Sequence, residues 1–187
     1  MNSNKNTRLL SEGAVCVALA VVLSYLEIKV GTQGGSVNVA MVPLILFAVY
    51  SGGLKWGVMA GFVYGTLQFI LTQSFALNLA SILLDYSIAY AAVGVAGLFK
   101  DKGIKGYLYG ALAGCLARFV IHYISGVTIY AEYAKDVYHG FKGLNMWTYS
   151  LVYNGFYMLF NTVAAVILTP LIGAVLERNR KPDKSDA

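Results

Sequence analysis

Asp85, Arg118 and His122 stand inside stretches of chain that are otherwise apolar enough to span a bilayer. An ionisable group at membrane depth costs at least about 2.5–3.5 kcal/mol on insertion scales, so it faces a protein interior or a watery cavity and has a partner. Arg118 and His122 are spaced i, i+4 and share one helix face about a turn apart. Asp85 lies at a comparable depth in the preceding segment, and an Asp85–Arg118 pair is expected. Such a pair either staples two helices or belongs to a ligand site, and intramembrane ionisable groups default to the second. Tyr86 adjoins Asp85, Tyr123 adjoins His122, Tyr130 follows the same helix, and Tyr149 stands at the start of the next. A carboxylate among aromatic faces suits a cationic, flat, ring-containing solute through ion pairing and cation–π contact. Asn154 adds a fixed donor and acceptor, or a helix–helix hydrogen bond. Tyr133, Tyr138 and Trp147 read as an interfacial aromatic belt.

No catalytic engine accompanies these groups. The chain has no Walker A motif, no HExxH, no GxSxG and no carboxylate cluster suited to a metal, and His122 and His139 are too isolated for haem. An enzyme using Asp85, His122 and Tyr149 as acid–base groups would lack a nucleophile. No catalytic residue, cofactor or metal is expected. Cys16 and Cys115 both fall within apolar segments, as small packing residues rather than a disulfide framework.

The elements that position these residues follow from composition. Hydrophobic residues make up 58% and charged residues 12% of 187 positions, with mean hydropathy +0.63, far from a soluble domain, about a quarter of which is charged. The apolar runs are continuous and rich in Gly, Ala and Leu, which excludes the alternation of a β-barrel. We expect an all-α integral membrane protein, one domain over residues 1–187, with about six spans near 9–28, 37–50, 54–72, 79–99, 106–126 and 147–176 and a basic tail at 177–187. The first run is too long for the core of a cleaved signal peptide and reads as a retained helix. Pro43 and its length mark the short second segment as tilted, kinked or preceded by a re-entrant loop. The uncharged loop Val30–Ser36 suits a lid or a plain connection. Four-residue ladders, Gly57-Gly61-Gly65 and Gly106-Gly110-Gly114, let helices approach closely, as does the small-residue spacing of Ala14 and Ala18.

Lys5, Arg8, Lys55, Lys100, Lys102, Lys105, Arg178, Arg180, Lys181 and Lys184 collect on one side of this arrangement, against Lys29, Lys135 and Lys142 on the other. The positive-inside rule makes the first side, and both termini, cytoplasmic. The formal net charge of +5 is thereby explained by topology and lipid contact, without nucleic acid. Loops at 29–37, 73–78 and 127–146 then face outward, beside the polar cluster.

Taken together, Ser11-Glu12-Gly13-Ala14 through Ala18, Leu84-Asp85-Tyr86 with Val95-Ala96-Gly97-Leu98-Phe99, Arg118-Phe119-Val120-Ile121-His122-Tyr123-Ile124-Ser125-Gly126 and Tyr149-Ser150-Leu151-Val152-Tyr153-Asn154-Gly155 carry a resemblance over nearly the whole chain. The chain resembles the thiamine-specific substrate-binding component (S-component) of energy-coupling factor (ECF) transporters. The resemblance implies a six-helix bundle that buries thiamine near the outer surface, beneath the loop joining the first two helices. It also implies a transmembrane coupling subunit and two cytoplasmic ATPases as partners. By the same resemblance, Asp85, Tyr86, His122, Tyr149 and Asn154 match ligand-contacting positions, Arg118 a basic position beside the pocket and Tyr130 a stacking position often held by Trp. Ala14 and Ala18 match the coupling-subunit contact. Where some members have Trp and Glu in and after the first loop, this chain offers Gly35 and Asn38, and its helix-four acid is Asp rather than Glu. These departures point either to thiamine bound with one anion fewer or to a related small vitamin or precursor.

Overall fold

A computed structural model of the chain describes residues 3–30, 34–72, 75–135 and 144–180. Seven α-helical pieces carry the described fold: α1 (Ser3–Ser24), α2 (Met41–Phe47), α3 (Gly53–Thr72), α4 (Leu79–Ile82), α5 (Ala89–Val93), α6 (Gly103–Thr128) and α7 (Met146–Arg178). Five stretches among the described residues are long and apolar enough to cross a membrane: Asn4–Ser24, Met41–Thr72, Leu79–Phe99, Gly103–Thr128 and Met146–Arg178. The multi-pass membrane class read from composition holds. The Gly31-Thr32-Gln33 part of the first loop, the residues Tyr138, His139 and Lys142, and Lys181 and Lys184 of the tail lie outside the described residues.

The first helix ends at Ser24, four residues before its expected limit at 28, because the chain tightens there. Tyr25 N donates to Val22 O at 3.3 Å and Leu26 N to Leu23 O at 3.1 Å, the short-range bonds that close a helix end. Beyond it the all-helical expectation gives way to a two-rung antiparallel ladder between β1 (Ile28–Lys29) and β2 (Ser36–Val37). Val30 N bonding to Gly35 O at 2.7 Å extends this pairing by one rung.

The second helix begins at Met41 rather than 37. Residues 38–40 instead form an Asx turn, in which Asn38 Oδ1 accepts from Ala40 N at 3.0 Å. Pro43 consequently occupies the first turn of α2, where an N–H has no intrahelical partner to lose, so it introduces no kink. A π-helical turn, Ala48–Gly52, extends α2 up to Gly53, at φ 67° and ψ −172°. Glycine reaches that conformation without steric cost, and α3 departs from it in a new direction. The run 41–52 is about 18 Å long at 1.5 Å per residue.

Asn78 and Ser81 cap α4 reciprocally: Ser81 N donates to Asn78 Oδ1 at 2.9 Å, and Asn78 N donates to Ser81 Oγ at 3.0 Å. The rod Leu79–Phe99 then changes pitch, passing from α4 through a π-helical segment, Leu83–Ile88, to α5 and a 3₁₀ segment, Gly94–Phe99. It lies between the two glycine ladders. A Cβ on Gly61 or Gly65 of α3 would collide with the carbonyls of Tyr90 or Tyr86, and one on Gly106 of α6 with the carbonyl of Phe99. Lipid tails give helices no hydrophobic reason to associate, so backbone contact of this kind supplies the packing.

At one end of the bundle Arg180 Nη2 donates to Tyr50 O at 2.9 Å, and the same side chain pairs with Glu177 and Asp101. Tyr107 Oη donates to Glu177 Oε1 at 2.8 Å there. The polar cluster lies toward the other end.

Gly61→Val should lower the melting temperature in detergent by an amount corresponding to about 2 kcal/mol or more, as overpacking does. Gly155→Ala, whose Cβ meets nothing within 4 Å, should leave it unchanged in the same thermal-shift assay.

Candidate functional site

Asp85 and Tyr86 fall in the π-helical segment of the rod, a pitch change that recurs at functional sites. Its longer turn lets two residues five apart, Asp85 and Tyr90, both reach α6. Asp85 Oδ1 lies 3.1 Å from His122 Nδ1, and Ser125 Oγ donates to Asp85 Oδ2 at 3.0 Å. One turn further along α6, Arg118 Nε donates to His122 Nε2 at 3.1 Å, and Arg118 Nη2 donates to Tyr90 Oη at 2.9 Å. The guanidinium carbon sits 4.1 Å from the Tyr90 ring centroid. The expected direct Asp85–Arg118 pair is therefore replaced by a relay with imidazole between the charges. Guanidinium cannot accept a hydrogen bond, so Nε2 must be the acceptor and the ring proton sits on Nδ1, donated to the carboxylate.

The opposite wall comes from α7. Tyr149, Tyr153 and Tyr157 recur every four residues and line one face. Tyr149 and Tyr153 stack at 5.8 Å and 21°, and Tyr157 stands edge-on to Tyr153 and to His122. Asn154 ties this helix to α6. Its Nδ2 donates to His122 O at 3.2 Å and to Ser150 O at 3.1 Å, while its Oδ1 accepts from Tyr157 Oη at 2.8 Å.

The hairpin closes the top. Gly35 N donates to Tyr153 Oη at 3.0 Å, Asn38 N to Asn161 Oδ1 at 2.8 Å, and Asn161 Nδ2 to Ser36 O at 2.9 Å. A Cβ at Gly35 would come within 2.8 Å of the Tyr157 ring, so only glycine lets the strand lie this close to α7. Asn38 is not among the lining residues. Its amide is spent on Ser36 Oγ and on the Asx turn, and it supports the roof rather than the cavity. Tyr86 Oη donates to Phe75 O at 2.6 Å, and Phe75 packs 6.3 Å from Tyr130. Burial, then the neighbouring Asp85 charge, push the Tyr130 phenol up, keeping it protonated.

These walls enclose a cavity of about 300 Å³, within the usual size for a small-molecule site. Of the residues singled out from sequence, Asp85, Tyr86, Arg118, His122, Tyr130, Tyr149, Asn154 and Gly35 all line it. Sequence reasoning missed Glu27, Gln68, Phe75, Tyr90, Tyr153 and Tyr157. The four-residue spacing of the α7 tyrosines was available as a signal. The position of Tyr90 was hidden by the π pitch. Glu27 restores a second carboxylate to the cavity, with the ammonium of Lys29, also a lining residue, 4.0 Å from it. Neither tryptophan lines the cavity: Trp147 is exposed beside Tyr123, and Trp56 packs on the main core. Ala14 and Ala18 lie far from this site in sequence and are exposed on the surface of α1.

The chain as a whole is similar to known transporters. The family model described as "Thiamine transporter protein (Thia_YuaJ)" matches residues 10–180. The chain is 32% identical over 199 aligned positions to the thiamine transporter ThiT of Bacillus subtilis, covering 99% of this chain and 100% of that protein. It is 31% identical to the thiamine transporter ThiT of Lacticaseibacillus paracasei, covering 92% and 90% respectively. A solved structure of ThiT from Listeria monocytogenes superposes with a TM-score of 0.81 at 23% identity, covering 93% of this chain and 97% of that one.

Asn161→Leu removes two of the three hydrogen bonds that tie the hairpin to α7 and leaves the one to Tyr153. Backbone amides at 34–38 should then exchange hydrogen about ten times faster or more by mass spectrometry, as expected when two buried hydrogen bonds of about 1 kcal/mol each are lost. Exchange in the α3–rod contact should be unchanged.

Proposed function

The chain belongs to the thiamine transporter protein family, and on that premise we propose that it is the substrate-binding component of a thiamine uptake system. It takes thiamine at the outer face of the bacterial cell membrane and performs no chemistry on it. The observation that carries this reading is the cavity in which two carboxylates, Asp85 and Glu27, stand among tyrosine faces, with the basic Lys29 and Arg118 also lining it. Thiamine combines a permanently cationic thiazolium with a flat aminopyrimidine. The first gains from a carboxylate in a partly desolvated site, and both rings gain from aromatic faces. Asp85 supplies the principal charge, held in place by His122 and Ser125. Tyr86, Tyr130 and Tyr149 supply faces, and Arg118, His122 and Asn154 fix the polar edge. Gly35 and Asn38 act through the roof, one by letting it close against α7 and the other by anchoring its exit. Arg118 is held by Tyr90 and His122, and the Asp85 carboxylate on the other side of the imidazole offsets part of its repulsion of a cation.

Counting 41–52 as a short crossing makes six spans, with both termini cytoplasmic. This is supported by the clustering of Tyr50, Asp101, Glu177 and Arg180 at the end opposite the cavity, where the surplus of Lys and Arg also falls. Release inward is assigned to an ECF coupling subunit driven by two cytoplasmic ATPases. Ala14 and Ala18, small and exposed on α1, are the proposed contact, since small residues let a partner helix approach its backbone. For the ligand to favour one state of such a cycle, it must bind the outward, roofed state differently from the docked one.

Two measurements test this reading. Asp85→Asn keeps an acceptor for His122 and removes only the charge. By calorimetry on detergent-solubilised protein it should weaken thiamine binding about tenfold to a hundredfold at unchanged melting temperature, whereas unchanged affinity would remove Asp85 from the site. Bulky replacement of both alanines, Ala14→Trp with Ala18→Trp, should abolish uptake into cells while sparing thiamine affinity in the purified protein.

A further inference from the structure

Within the cavity most polar groups already have partners in the protein. Asp85, His122 and Asn154 satisfy one another and their neighbours, as the relay and the α6–α7 tie require. Among the buried side-chain atoms of the lining residues, two have no hydrogen-bond partner: Arg118 Nη1 on α6 and Gln68 Oε1 on α3. Gln68 is 4% exposed, sits in an otherwise apolar span, and was not marked by any motif. Its backbone carbonyl accepts from Thr72 Oγ1 at 2.8 Å, which leaves the side-chain oxygen unused. A buried amide oxygen left without a partner, on a residue that lines a cavity, points to a partner from outside the chain.

We infer that Gln68 is a specificity-determining residue whose amide oxygen accepts a hydrogen bond from an N–H or O–H group of the bound ligand. The inference rests on the proposed thiamine site and adds to it a wall, α3, that the resemblance did not supply. Thiamine offers two donors of this class, the exocyclic amine of its pyrimidine and its terminal hydroxyl. A site built to accept from one of them discriminates strongly against an analogue that lacks it, because the protein acceptor is then left buried and unpaired.

The test is a calorimetric titration of the wild-type, Gln68→Leu and Gln68→Glu proteins. The ligands are thiamine, the analogue with a carbonyl oxygen in place of the amine, and the analogue with chlorine in place of the hydroxyl. In Gln68→Leu, thiamine affinity should fall about tenfold or more, and its preference over one analogue should shrink by a similar factor while the preference over the other is kept. The analogue affected identifies the donor. Gln68→Glu, which retains an acceptor, should keep the preference. Unchanged preference over both analogues in Gln68→Leu would overturn the inference, with Gln68→Met read in the same way should the leucine variant not fold. Failure of the wild-type protein to bind thiamine would overturn the proposed function itself.

Discussion

A carboxylate held at membrane depth is the constraint from which the rest of the site follows. Asp85 is tolerable there only because His122 and Ser125 hydrogen-bond its two oxygens, and because Arg118 backs the imidazole from the next turn. Neutral imidazole between anion and cation keeps the two charges from collapsing into a direct pair. A direct pair would leave less attraction for an incoming cation, since opposite charges in contact largely cancel at a distance. The relay also fixes the α6 register against the rod, so one set of hydrogen bonds serves both stability and recognition.

The walls and the cover of the cavity are built from different interactions. The α3–rod–α6 sandwich rests on backbone contact through glycine ladders, which a side chain cannot relax around. The roof rests instead on a two-rung ladder and a few hydrogen bonds to Tyr153 and Asn161. Elements with few bonds and little apolar burial occupy the low end of local stability. The cover is thus held by fewer interactions than the walls.

Much of this was legible in the sequence, for identifiable reasons. Intramembrane Asp85, Arg118 and His122 stood out because charge in an apolar run is costly, and the ladders stood out by spacing. The helix ends were less legible. Nothing in an apolar pattern distinguishes residues 25–28 as a helix continuation from a turn, and Pro43 was read as a kink because its distance from the helix start was unknown. The direct Asp85–Arg118 pair was wrong in detail because the pattern assumed an α period through Leu83–Ile88. Glu27 and Gln68 escaped notice because each is a single polar residue in or beside an apolar run, and only the fold brings them to the cavity.

The π-helical pitch between Asp85 and Tyr90 sets a phase as well as a position. Six residues wound at the wider π pitch turn the rod about as far as five in an α-helix. One residue is therefore absorbed inside the turn, and the glycine contacts farther along keep the face that ordinary α winding with one residue fewer would give them. The wide turn thus makes room for a carboxylate-bearing residue without rotating the packing surfaces on either side of it.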